Sequence, residues 1–192
     1  WSTYIRYIGA GALAAGGIIS LIKSLPLIIK TFGGAVKGIS DNNDHSKKRT
    51  DKNLSMKFVI IAIAVLTLVV WLLPAIPVSL IGALIIVVFG FFFATVSSRM
   101  VGLVGSSNNP VSGMAIATLL IATLILKVTG ATGVSGMCSA IAIGSIICII
   151  SAIAGDTSQD LKTGFLLGAT PKKQQIGEII GVIASALAIG GT

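Results

Sequence analysis

Long uncharged apolar stretches, separated by short polar segments, dominate this chain. Residues 58–98, 100–126 and 128–155 contain no Asp, Glu, Lys or Arg. A helix needs about 20 apolar residues to cross a bilayer core, so the first stretch is long enough for two crossings and each of the others for one. The pattern therefore predicts transmembrane helices over 58–73, 78–98, 110–130 and 134–154.

Proline and small residues complete this outline. Pro74 and Pro77 are too close together for a helix to continue through both, so a tight hairpin between antiparallel helices is expected there. A Gly- and Ala-rich helix is predicted from about Tyr4 to Leu25, with the small-residue spacing that close helix packing in lipid requires. A last helix is predicted to begin at Pro171. The sequence thus predicts an all-α integral membrane protein, a polytopic helical bundle of about six crossings.

These features divide the chain into three parts. Residues 1–39 are predicted to form a transmembrane helix with an amphipathic cytoplasmic extension. A polar cytoplasmic loop follows over 40–57, and 58–192 is predicted to be a transmembrane bundle of about five helices, the last one cut short. Because the chain begins at Trp1 and ends within an apolar helix, we expect an interior fragment of a longer protein.

Composition and charge exclude a soluble domain and indicate an orientation. Charged residues make up 10% of the chain, against about 25% in soluble domains. The net charge of +8 comes from basic residues at helix ends, which favours membrane orientation over a nucleic-acid partner. Counting Lys and Arg places loops 40–57, 99–112 and 155–173 in the cytoplasm and leaves only Arg6 and Lys127 opposite. We expect a multi-pass membrane protein, surrounded by the lipid bilayer.

One polar segment interrupts the apolar pattern between two predicted helices. Residues 105–113 read GSSNNPVSG, and Asn109 followed by Pro110 is a favourable helix start. Free N–H groups at such a start attract an anion such as a carboxylate, and polar backbone at membrane depth is tolerated where it lines a watery cavity. The segment is either a substrate-pathway element or an exposed cytoplasmic turn that caps the next helix. The pathway candidates are Ser106, Ser107, Asn108, Asn109, Pro110 and Ser112.

Three carboxylates are candidates for proton coupling, namely Asp156, Asp160 and Glu178. The first two are four residues apart and would share one face of a helix, and carboxylates beside membrane helices are suited to carry a coupling proton. Glu178 lies beside Gly177 and Gly181, a small-residue spacing that predicts a nearby helix contact. The alternative is structural, with Asp156 capping a turn, Asp160 paired with a surface lysine and Glu178 at the interface.

The chemical groups of the chain argue against catalysis. His45 is the single histidine and lies in the polar loop, so zinc-peptidase and serine-protease arrangements lack their histidines. The P-loop and dinucleotide motifs are missing as well. Cys138 and Cys148 lie in an apolar stretch, which is typical of small hydrophobic residues. We expect no enzymatic activity and no bound cofactor or metal.

Three runs of sequence resemble one known family. GSSNNPVSGM (105–114), AGDTSQDLKTGFLLGATPKKQQIGEIIG (154–181) and YIRYIGAGALAAGGIISLIKSLP (4–26) are similar to the bacterial branch of the oligopeptide transporter family. The resemblance implies a secondary transporter with many helices in two pseudo-symmetric halves, of which this chain is an interior portion. It also implies uptake of small peptides or of metal chelates of amino-acid-derived ligands, typically driven by protons.

The function predicted from these observations is secondary active transport. We expect proton-coupled uptake of small oligopeptides or related amino-acid-derived substrates, with metal chelates included, by alternating access and with the remainder of the same transporter chain as partner. The alternatives are a passive membrane channel, suggested by Asn-Pro at a helix start, and a structural membrane subunit. Gradient-driven, saturable accumulation distinguishes a carrier from a channel.

Overall fold

The computed structural model describes residues 49–74, 76–106, 109 and 111–191, together with scattered positions between 4 and 26. A short 3-10 turn, Arg49–Asp51, precedes five α-helices. They are α1 Met56–Leu72, α2 Leu80–Val104, α3 Val111–Val128, α4 Gly133–Leu166 and α5 Pro171–Gly191. By length and composition, five helices in this part of the chain can cross a membrane, the first of them counted from Arg49.

The observed helices confirm the predicted all-α polytopic membrane architecture. α1, α3 and α5 begin and end close to the predicted positions. The predicted first helix and most of the 40–57 loop lie outside the described residues, apart from isolated positions in the helix and the last part of the loop. Five of the six predicted crossings are therefore seen in the described residues, and the first lies outside them apart from those isolated positions.

Two predicted helix ends were wrong. α2 continues past Ser98 to Val104, and α4 continues past Ala154 to Leu166, so the predicted loops 99–112 and 155–173 are shorter than expected. The apolar pattern stops where the helix leaves hydrocarbon, but nothing in 155–166 breaks a helix. Gly105 and Gly168 mark the real ends, because their φ angles of 77° and 72° are in the left-handed region that glycine adopts without steric cost.

The core lies between α2, α3 and α4, with α4 in contact with both of the others. A Cβ at Gly90 of α2 would lie 3.0 Å from Ile150 Cδ1, and one at Gly144 of α4 would lie 2.6 Å from Leu119 Cδ2. Such close approach at glycine is how helices pack in lipid, where apolar burial alone gives little drive for association.

The order of these contacts gives the helix directions. Along α4, Ile143 lies beside Gly82 and Ile150 beside Gly90, so α2 and α4 run parallel. Contacts of α3 with α4 proceed in the opposite order, and α3 is therefore antiparallel to both. This alternation agrees with a chain that crosses the membrane three times in succession.

Within the described part of the chain, no residue of the outer helices α1 and α5 is buried. The break between α1 and α2 is confirmed, but the tight packing expected of a hairpin is not seen. Contact is weak, with Val70 and Ile76 packed against the core. α1 contains no glycine, the residue that allows the closest approach between helices in lipid.

Basic residues tie several segments together at one end of the bundle, which we call the basic end. Arg49 donates to the carbonyl of Gly168 at 2.9 Å and to Thr170 Oγ1 at 3.3 Å. Lys162 of α4 donates to the carbonyl of Gly102 in the last turn of α2, where carbonyls have no helical partner and cations are favoured.

The end of the polar loop, the end of α2 and the turn between α4 and α5 therefore lie on one side of the bundle. The charge count predicted that these three segments share a side. Their location in the cytoplasm stays a prediction.

Candidate functional site

A group of polar atoms lies inside the otherwise apolar bundle, where α2, α4 and the segment before α3 meet. We call it the Asn109 cluster, and it consists of Ser97, Asn109, Ser151 and Gly155. The Asn109 amide nitrogen donates to Ser97 Oγ and, at 3.3 Å, to the carbonyl of Ser151. Ser97 Oγ donates to the same carbonyl at 2.6 Å. The three polar groups thus form a closed set of hydrogen bonds between two helices and the segment before a third.

The chemistry of the Ser151 carbonyl fixes the orientation of the Asn109 amide. A carbonyl oxygen only accepts, so the NH₂ end of Asn109 must face it. The same nitrogen also donates to the Ser97 hydroxyl, which donates its own proton to the Ser151 carbonyl. Ser97 and Ser151 are fully buried. Buried polar groups need hydrogen-bond partners, and this arrangement supplies them from the protein itself.

Gly155 leaves the space in which the Asn109 amide lies. A Cβ at this position would be 2.9 Å from Asn109 Nδ2, 3.0 Å from Ser97 Oγ and 3.2 Å from Val101 Cγ2. Glycine is therefore the side chain that allows α2, α4 and Asn109 to meet. On the α3 side, Ser151 Oγ donates to Met114 Sδ at 3.6 Å, so the beginning of α3 also contacts this cluster.

The structure separates the predicted pathway residues by environment. Asn109 is half-buried in the cluster, Ser106 is half-buried before it, and Ser112 is exposed on the first turn of α3. Ser107, Asn108 and Pro110 lie outside the described residues. Among the described residues of this segment, Asn109 and Val111 contact the bundle interior and Ser112 is exposed. Whether it lines a substrate path stays a prediction.

Two of the three predicted proton carriers are brought together. Asp160 of α4 and Glu178 of α5 line one cavity of about 330 Å³, together with Thr163 and Gln174. Gln174 donates to the Asp160 carbonyl at 3.1 Å. Among the described residues, Gln174 Oε1 and Glu178 Oε1 are buried without a hydrogen-bond partner, so covered acceptor oxygens line this space.

Asp156 does not share that cavity with Asp160. It lies one turn earlier on α4 with an exposed side chain and is not among the described residues that line the cavity. Because α4 is helical throughout this region, the alternative in which Asp156 caps a turn is wrong. The four-residue spacing predicted a shared helix face, but α5 covers only the later part of it.

The small-residue spacing around Glu178 does not make the contact predicted for it. Positions for a Cβ at Gly177 and Gly181 have no neighbour within 4 Å in the described part of the chain. Glu178 instead lies on the side of α5 that, together with α4, lines the Asp160–Glu178 cavity. Glu178 does lie beside a helix contact, as predicted, but the contact is with α4 and does not involve Gly177 or Gly181.

A second cavity of about 390 Å³ lies where α3 turns into α4, at the end of the bundle opposite Arg49. Leu119, Met137 and Ile141 are among its mostly apolar lining residues, with Lys127 beside them. It is larger than the Asp160–Glu178 cavity but contains no described carboxylate. The candidate functional site therefore consists of the Asn109 cluster and the smaller Asp160–Glu178 cavity.

Sequence reasoning missed Ser97, Ser151 and Gly155. Serine is common in membrane helices, and nothing local distinguishes these residues from other serines and glycines in the same stretches. Their partners are distant along the chain, since Ser97 and Ser151 are separated by 54 residues. Asn109 alone carried a local signal, the Asn-Pro pair.

Comparison with known proteins assigns the chain to a family. Residues 1–192 match the family model described as "OPT oligopeptide transporter protein". The chain belongs to the oligopeptide transporter family. This confirms the resemblance that the three sequence runs indicated, and with it a multi-pass membrane protein.

One curated relative of this oligopeptide transporter family member is a protein of Haemophilus influenzae named "Putative oligopeptide transporter". The two are 35% identical over 211 residues, which cover 98% of this chain and 33% of the relative. The chain thus spans about a third of the length of that relative. No solved structure matches the chain.

Proposed function

We propose that this chain is part of a secondary active transporter that takes up small oligopeptides, or related amino-acid-derived substrates including metal chelates, across the cell inner membrane together with protons. Family membership over the whole chain carries this proposal, and the name of the Haemophilus influenzae relative supports the peptide substrate. The remaining helices come from the rest of the same chain, and no cofactor takes part.

The polar segment 105–113 is the proposed lining of the substrate path. Peptides and chelates of amino-acid-derived ligands both expose carboxylates, and the start of α3 offers N–H groups and the positive end of a helix dipole to such an anion. Ser112 is exposed on this first turn. The charge bias favours a path that opens here toward the cytoplasm.

Asp160 and Glu178 are the proposed proton carriers. Asp160 on α4 and Glu178 on α5 line the same cavity, so a movement of α5 relative to α4 would change how far the two carboxylates are from each other and from water. Proton binding would thereby be linked to helix position, as alternating access requires. Asp156 is retained as a further candidate on the exposed side of α4.

Uptake of labelled di- to tetrapeptides by cells that express the full-length protein tests this function. We expect saturable accumulation above the external concentration when a proton gradient is present and loss of accumulation when an uncoupler removes it. One proton moved through a potential of about 100 mV supplies about 2.3 kcal/mol, which corresponds to about fiftyfold accumulation. Uptake that stops at equal concentrations with or without the gradient would contradict proton coupling, and if that uptake also failed to saturate it would favour a passive channel.

A further inference from the structure

The hydrogen bonds of the Asn109 cluster join its members to one another. The Asn109 amide nitrogen donates to Ser97 Oγ and, over a longer distance, to the Ser151 carbonyl beside it. Ser97 accepts one bond and donates one. Ser97 and Ser151 are fully buried, so a solute cannot reach them. The cluster is a contact between segments and is not itself a place where substrate binds.

We infer that Ser97 and Gly155 are positioning residues of the substrate path, which hold Asn109 against α2 and α4 and thereby position the residues described on either side of it. The inference rests on the proposed function, because it assigns roles within the same path. Asn109 is the anchor of the segment. Contact with substrate is made by the residues on either side of it, the half-buried Ser106 and the exposed Ser112.

The positions of Ser106 and Ser112 relative to Asn109 explain why loss of the Asn109 contacts would weaken substrate binding. Ser106 and Ser112 are each three residues from Asn109, so a displacement of the Asn109 backbone moves both. Hydrogen bonds weaken steeply when their geometry is lost, and binding groups must be held within a fraction of an ångström by the residues behind them. The expected consequence of a broken anchor is weaker substrate binding, with the helices themselves still in place.

Ser158 provides a matched control for the Ser97 hydroxyl. It also lies on the contact between α2 and α4, where its hydroxyl donates to the carbonyl of Ser98 at 2.8 Å. It is not among the described partners of Asn109. Replacing Ser158 by alanine therefore removes an equivalent bond between the same helices and leaves the Asn109 cluster intact.

The first experiment measures the KM and maximal rate of peptide uptake by the full-length transporter, normalised to the amount of folded protein. Ser97→Ala and Asn109→Ala are each expected to raise KM about tenfold, with less change in maximal rate. The double variant is expected to resemble either single one, since both remove the same anchor. Asn109→Asp keeps the shape of the side chain but places acceptor oxygens against the Ser151 carbonyl, so its KM is expected to rise at least as much.

The control variant Ser158→Ala is expected to leave KM unchanged, and its effects are expected to add to those of Asn109→Ala.

A second readout is independent of transport. In the full-length protein with other cysteines replaced, the rate at which a water-soluble maleimide modifies Ser112→Cys reports the position of the segment. Ser97→Ala is expected to change this rate severalfold, and Ser158→Ala is not. If the rate changes but no variant, including the wild type, accumulates peptide, the anchor stands and the proposed function fails. An unchanged rate together with an unchanged KM, or fully additive effects of Ser97→Ala and Asn109→Ala, would overturn the inference.

Discussion

Gly155→Val is expected to prevent this part of the transporter from folding in the membrane. The first added carbon alone would lie 2.9 Å from the Asn109 amide nitrogen and 3.0 Å from the Ser97 hydroxyl, and valine adds two further methyl groups. Overpacking of a core costs about 1–3 kcal/mol. Expulsion of Asn109 also removes its hydrogen bonds to Ser97 and Ser151, at about 0.5–1.5 kcal/mol each. Together these losses are a large part of the roughly 5–15 kcal/mol by which a domain is stable.

The matched control is Gly177→Val, because a Cβ at Gly177 has no neighbour within 4 Å in the described part of the chain. Size-exclusion chromatography of the fluorescently tagged full-length protein measures the folded fraction in detergent. We expect a monodisperse peak for Gly177→Val and aggregated or absent protein for Gly155→Val. Equal folded amounts for the two variants would show that the close approach at Gly155 is not required.

Asp160→Asn combined with Glu178→Gln is expected to abolish uphill accumulation of peptide and to retain exchange of peptide between the two sides. Both substitutions keep the shape of the side chain and remove the ionisable group. Without a group that binds and releases the proton, the gradient no longer drives transport, whereas substrate-dependent movement between inward and outward states needs no net proton transfer. Accumulation of about fiftyfold at a potential of about 100 mV is expected to fall to none.

Uptake and counterflow in vesicles that contain the full-length protein distinguish these outcomes. Asp51→Asn serves as the control, since Asp51 is exposed at the basic end and lies outside the cavity. Asp156→Asn shows whether coupling is confined to the Asp160–Glu178 cavity, in which case this variant accumulates peptide normally. If the double variant accumulated peptide as well as the wild type, neither carboxylate would be a proton carrier.

The sequence predicted the helices well because their cause is local. A run of about 20 uncharged residues such as those of α3 must cross the bilayer as a helix, since only a helix satisfies its backbone there. The ends of α2 and α4 were less predictable, because a helix that leaves the membrane loses its apolar pattern and continues until a residue such as Gly168 ends it.

The candidate site was predictable only in part. The Asn-Pro pair indicated a special segment, and Asp160 and Glu178 were recognised as unusual charges beside membrane helices. The bonds from Asn109 to Ser97 and Ser151 could not be read from the chain, because they depend on how α2 and α4 pack in parallel. The same packing decides that Asp160 and Glu178 line one cavity and that Asp156 is not among the described residues that line it.

The central claim is that segment 105–113 lines the path taken by the peptide, and protection of Ser112→Cys by substrate tests it most directly. The full-length protein carries this cysteine with its other cysteines replaced, Cys138→Ala and Cys148→Ala among them, and a water-soluble maleimide is applied with and without a saturating tripeptide. Leu167→Cys, exposed on the turn after α4, is the control for general effects of the peptide. The account predicts that the tripeptide slows modification of Ser112→Cys severalfold, at concentrations near the KM of uptake, and leaves Leu167→Cys unaffected. A transported tripeptide that gives no protection at Ser112→Cys would contradict it.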